Sequence, residues 1–122
     1  MGFKDWVADA PVATFGNLTL RKDRVQKLDG FKKEEHPLDG VMARVESGAE
    51  LDSRITATRL VALGIFALAF KKKSGGEGYL TVEGPDFLWF VEVDRKKKGD
   101  AIKFAMKLNN HVKESAAEAR EA

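Results

Sequence analysis

The chain has no cysteine, and among its 122 residues there are only three prolines, one tyrosine and two histidines. Without cysteine it has neither a disulfide framework nor thiolate chemistry, which fits a reducing compartment. His36 sits in a charged stretch and His111 beside Asn110, so each reads as a surface histidine. No His or carboxylate spacing matches a metal site, and no nucleophile has a recognisable base beside it. Gly75-Gly76 after Ser74 lacks the lysine and hydroxyl residue of a phosphate loop. The expectation is a protein with no catalytic residue, no metal and no cofactor.

A long apolar run is also missing. The longest, Ile55 to Phe70, is interrupted by Thr56, Thr58, Arg59 and Gly64. A bilayer span needs about 20 apolar residues, and Leu60 to Phe70 is far shorter, with Arg59 before it and Lys71, Lys72 and Lys73 after it. The first residues do not form a secretory leader, and Trp6 stands where a myristoylation signal has Ser or Thr. The expected location is cytoplasmic. Charge of one sign is scarce too: 21 basic residues against 19 acidic ones leave +2. The distribution of charge therefore says more about partners than the total does.

What is present suffices for one domain with a real core, since 43% of the residues are hydrophobic. Ile55–Phe70 is the expected centre of that core. Its alanines and leucines favour a short buried helix. A strand pair stays open, because periodicity cannot decide a run that is apolar on every face.

Phe3, Trp6, Val7 and Ala10 share one face of a short amphipathic segment over residues 1–10, which Pro11 ends. Phe3 and Trp6 could dock on the core or anchor the chain at a membrane surface. Val12–Phe15 reads as a strand, Gly16-Asn17 as a turn, and Lys22-Asp23 as a tight turn between two further strands. Asp29–His36 reads as a charged loop, with His36 extended ahead of Pro37. Val41, Ala43 and Val45 alternate with Met42, Arg44 and Glu46, the pattern of a half-buried strand. Ser47–Ser53 reads as a connecting loop. Tyr79–Glu83 and Phe87–Val93 are strands joined by the turn Glu83–Asp86. The second is apolar on both faces in its first half, so both sides of it should be covered.

From Asp100, read as an N-cap, a helix carries Ala101, Phe104, Ala105, Leu108, Val112, Ala116 and Ala119 in one stripe. Glu114, Glu118 and Glu121 sit where the helix dipole disfavours acids. Residues 114–122 are accordingly expected to be a fraying tail, and 11–113 the domain proper.

Several of these words resemble a known group: Thr58-Arg59, Leu68 to Lys73, Tyr79 to Gly84, Phe104-Ala105, Leu108-Asn109, and the connector Pro37-Leu38-Asp39. Over roughly residues 12 to 113 the chain is similar to small bacterial pleckstrin-homology-like proteins of the type found in actinobacteria and their phages. The resemblance implies an α+β fold, a bent antiparallel sheet with a C-terminal capping helix; the apolar crossover over Ile55–Phe70 is where this chain departs from an ordinary pleckstrin-homology sheet, which leaves the strand count there open. It also implies a non-catalytic interaction module that binds a protein partner or assembles with itself.

One constellation follows from geometry. In an antiparallel hairpin the start of the first strand and the end of the second lie together. Lys71, Lys72 and Lys73 precede the Tyr79 strand, and Arg95, Lys96, Lys97 and Lys98 follow the Phe87 strand. These seven cations should share one rim. The second group also sits at a helix N-terminus, where the dipole disfavours cations. The rim is a candidate site for anionic lipid headgroups, which would place the protein at the inner membrane face, or for nucleic-acid phosphates. It could equally be a solvated edge that keeps the sheet soluble. Nucleic acid is the weaker expectation, because Tyr79 alone is near enough to stack on a base.

Overall fold

A computed structural model describes residues 10–54 and 78–121. The architecture is α+β. Strands β1 (Ala13–Phe15), β2 (Leu18–Leu20), β3 (Arg24–Asp29) and β4 (Lys32–Pro37) form one antiparallel meander in that spatial order. Strands β5 (Met42–Ser47), β6 (Gly78–Glu83) and β7 (Leu88–Val93) form a second. Helix α1 (Gly48–Arg54) follows β5. A 3-10 turn over Arg95–Lys97 leads from β7 into helix α2 (Lys98–Glu121).

Residues directly opposite each other in an antiparallel pair share a face. The pairs Leu20↔Val25 and Val25↔His36 therefore make one inward row, and Ala43↔Val82 and Val82↔Trp89 make another. These rows, with Ala101, Phe104 and Leu108 of α2, form a single buried core. Burying each large side chain contributes about 1.5–3 kcal/mol relative to exposure. The expected cover on both sides of β7 is present, since Leu88 and Trp89, on opposite faces, are both buried. Tyr79 and Thr81 are buried on the face away from the core, as is Leu51 of α1. The same cover corrects the reading of β5. Glu46, expected toward solvent, is only 7% exposed, while Val45 is half-buried.

Three further expectations are corrected. Asp29–His36 is not a loop: Lys32 to Pro37 pair in register with β3. The turn is Gly30-Phe31, with Gly30 at φ +65, where a side chain would be strained. A charged edge strand carries no apolar alternation to betray it. Ser47–Ser53 is not a loop either, because α1 begins at Gly48. Ser47 Oγ accepts from Glu50 N (3.1 Å), and Glu50 Oε1 accepts from Ser47 N (3.3 Å), a reciprocal cap of the helix start. Finally, Asp100 is not an N-cap. The 3-10 turn, closed by Lys97 N donating to Asp94 O at 2.9 Å, starts the helical path earlier and leaves Asp100 inside the first turn.

The buried stripe of α2 runs from Ala101 to Leu108, and Val112 is partly covered. Ala116 and Ala119 are exposed, although the helix continues to Glu121. Between β6 and β7, a Cβ on Gly84 would run into the ring of Phe87, so only glycine fits this turn. No helix among the described residues is long and apolar enough to cross a membrane. The apolar run Ile55–Phe70 lies outside the described residues, so its expected place in the core is not part of this picture.

Candidate functional site: a cleft between two strand edges and the C-terminal helix

Among the described residues each sheet has two edge strands, β1 and β4 in one, β5 and β7 in the other. An edge presents backbone N–H and C=O groups that need partners. The edge of β5 is covered by α2. Ala43 N donates to Asn109 Oδ1 at 2.8 Å, and Asn109 Nδ2 donates to Ala43 O at 2.9 Å.

β4 is held by its side chains. On its inner side, Glu34 Oε2 accepts from Trp89 Nε1 (2.8 Å) and from His36 Nε2 (2.7 Å). The His36 ring lies flat on Phe87, with centroids 3.9 Å apart and planes 5° from parallel. His36 is therefore not the surface histidine its charged neighbours suggest: it is half-buried and ties β4 to the second sheet. His111 is half-buried as well and donates from Nε2 to Lys22 O at 2.7 Å. Burial pushes the Glu34 carboxyl up, but the hydrogen bonds from His36 and Trp89 outweigh it and hold the group below its ordinary range. On the outer side, Glu35 accepts from Gln26 and from Arg24 Nε (2.6 Å), and these bonds hold its carboxyl low too. Arg21 Nε completes the network by donating to Gln26 Oε1 at 2.7 Å.

β1 and β7 are left. Among the described residues each has a strand neighbour on one side only, and both border a cleft of about 510 Å³. Its apolar lining comes from Phe15, Val91 and Phe104, with the two phenylalanine rings 6.3 Å apart. Its charged lining is mixed: Lys97, Lys103 and Lys107 against Glu92, Asp94 and Asp100. Thr14 contributes the only hydroxyl among these lining residues, and none is a histidine. The arrangement is suited to binding an extended chain that carries both apolar and charged groups.

Of the cationic rim, Arg95, Lys96, Lys97 and Lys98 are exposed, and Lys97 reaches the cleft. The register places Gly78 opposite Val93, so the chain enters β6 and leaves β7 at one end. Lys71, Lys72 and Lys73 lie outside the described residues, as do Phe3 and Trp6. Sequence reasoning missed the tip of the β3–β4 hairpin, where Phe31 is fully exposed and Leu28 is 47% exposed. Asp29-Gly30 is the turn signal that could have located it. No group of three His, Asp or Glu among the described residues could hold a metal ion. No family model matches the chain, no curated protein matches its sequence, and no solved structure matches it.

Proposed function

We propose that this chain is a pleckstrin-homology-like interaction module without catalytic activity, and that it receives a polypeptide, from another protein or from a second copy of itself, in the cleft between β1, β7 and α2. A four-stranded and a three-stranded meander with a C-terminal helix laid over one strand edge support the pleckstrin-homology-like reading. The observation that carries the function is that β1 and β7, each paired on one side only among the described residues, border a single cleft.

An extended peptide added to a strand edge gains main-chain hydrogen bonds, while neighbouring pockets select its side chains. Phe15, Val91 and Phe104 supply the apolar contact, and the opposed lysines and acids set register and direction. The cleft falls within the range of about 300–1,000 Å³ usual for binding sites.

A photo-crosslinking residue placed at Thr14 tests this reading. A defined polypeptide should be captured, and light scattering should tell a second copy from another protein. Capture should be lost when Lys103 and Lys107 are both reversed to Glu, and a crosslinker at the exposed Glu114 should not reproduce it. Equal products from both positions would refute the cleft as the binding site.

A further inference from the structure

The two strand edges on the cleft share a direction. Phe15, at the end of β1, lies against Phe104, with ring centroids 6.3 Å apart. Ala13, at its start, pairs with Leu20, and just beyond Leu20 the carbonyl of Lys22 accepts from His111 Nε2 at 2.7 Å. β1 therefore runs from the His111 turn of α2 back toward the start of that helix. β7 runs the same way. Its Trp89 pairs with Val82, which pairs with Ala43, the residue held by Asn109. Its last residue leads through the 3-10 turn into the start of α2. Two edges with one direction can both pair antiparallel with a single strand laid between them. The strand pairs of both sheets are all antiparallel among the described residues, and that pairing is the more stable per residue.

Charge is ordered along the same direction. Glu92, Asp94 and Asp100 line the end where β1 and β7 finish, against Lys97 alone, while Lys103 and Lys107 lie farther along α2. Among the described residues, none of these six side chains is engaged in an ion pair or a side-chain hydrogen bond. Asp100 and Lys103 have the spacing of a helix pair and make none. Phe15, Val91 and Phe104 lie between the charged ends. From Asp100 to Lys107 the helix rises about 10 Å, a distance that an extended chain covers in about three residues.

We propose that the partner enters the cleft as one β-strand antiparallel to both β1 and β7, basic at its N-terminal end, apolar at alternate positions in its middle and acidic at its C-terminal end. The inference rests on the polypeptide-binding reading of the cleft and adds the partner's direction and charge order. Antiparallel pairing puts the strand's N-terminal end where β1 and β7 finish, beside Glu92, Asp94 and Asp100. Its C-terminal end then meets Lys103 and Lys107. Every second side chain of a strand points to one face, so the middle residues alternately meet Phe15, Val91 and Phe104. The same segment with its charges in the opposite order would set like charge against like at both ends, which is costly at an interface.

The test is fluorescence anisotropy of the full chain with two labelled peptides of one composition, both acetylated and amidated so that only side chains carry charge. The first has a basic pair, then alternating valine and threonine, then an acidic pair; the second has the acidic pair first and the basic pair last. The first should bind roughly tenfold tighter than the second. Reversing both Lys103 and Lys107 to Glu should remove most of that advantage. Both lysines are exposed, so the fold should survive. A third peptide, with basic pairs at both ends, should bind this double variant more tightly than wild type, which mere damage to the fold could not produce. Equal binding of the first two peptides, or tighter binding of the second, would overturn the proposed direction. So would no binding of the first at about 1 mM. Whether the cleft takes a polypeptide at all is judged separately, by the crosslinkers at Thr14 and Glu114, so the two readings can fail independently.

Discussion

Asn109 stands toward Ala43 as a neighbouring strand would, accepting from its N–H at 2.8 Å and donating to its C=O at 2.9 Å. One primary amide carries both a donor and an acceptor, so a single side chain satisfies both backbone groups of an edge residue. The pairing fixes how α2 lies on β5 and closes that edge to other strands. Asn109→Leu would leave both groups of Ala43 without partners, at about 1–3 kcal/mol each. A loss of about 2–6 kcal/mol in urea unfolding is expected. Asn109→Asp should also destabilise, since a carboxylate cannot donate to Ala43 O. Unchanged midpoints in both variants would mean that water replaces the amide without cost.

Phe104 joins α2 to the core and touches the cleft from below. Phe104→Ala should cost about 3–5 kcal/mol, the usual penalty for emptying an aromatic site. In a domain of this size, that is a fall of roughly ten degrees or more in Tm. A scanning-calorimetry midpoint equal to wild type would place the ring outside the core.

Glu34 makes stability sensitive to acid. Its carboxyl is held below its ordinary range in the folded chain, so its contribution is complete above the unfolded pKa. That contribution is lost as the pH falls through the folded value and the carboxylate that accepts from Trp89 and His36 takes up a proton. The urea midpoint should therefore drop between pH 5 and more acidic solutions. Glu34→Gln keeps an acceptor oxygen without the titration, and its profile over the same window should be flatter. Identical slopes for the two proteins would assign the acid sensitivity to other groups.

The last turns of α2 are expected to be dispensable. Ala116 and Ala119 are exposed and only line a shallow groove of about 470 Å³ beside Leu38 and Asp23. Deleting Ser115 onward should change the unfolding free energy by less than about 1 kcal/mol. A larger loss, or a change in mass by light scattering, would show that these turns press on the groove or on another copy.

The elements read correctly from the sequence are those whose pattern is local. Leu80 and Val82, Trp89 and Val93, and Ala101 to Leu108 each repeat at the period of their own strand or helix. The chain ends of β6 and β7 meet as hairpin geometry requires, with Gly78 opposite Val93. The α1 start reads as a loop in the sequence: Ser47 and Glu50 have the spacing of a reciprocal cap, but seven residues carry too little periodicity to announce a helix.

Composition and spacing by themselves determined a small domain with a sheet-rich body, a C-terminal helix and cations after β7. Tertiary structure alone decided the rest, because each remaining feature is a meeting of residues distant along the chain. β4 became a strand when Glu35 met Arg24 and Gln26, and when Glu34 and His36 met Trp89 and Phe87 across the core. Glu46 was buried by cover on the second face of its sheet, which no alternation in β5 encodes. The cleft exists because β1, the end of β7 and the first turns of α2 come together. Phe31 became an exposed point only because Gly30 turned the chain and no other described segment reached it. Local periodicity reports which face of an element is apolar, whereas burial, edge pairing and exposure depend on what arrives from elsewhere.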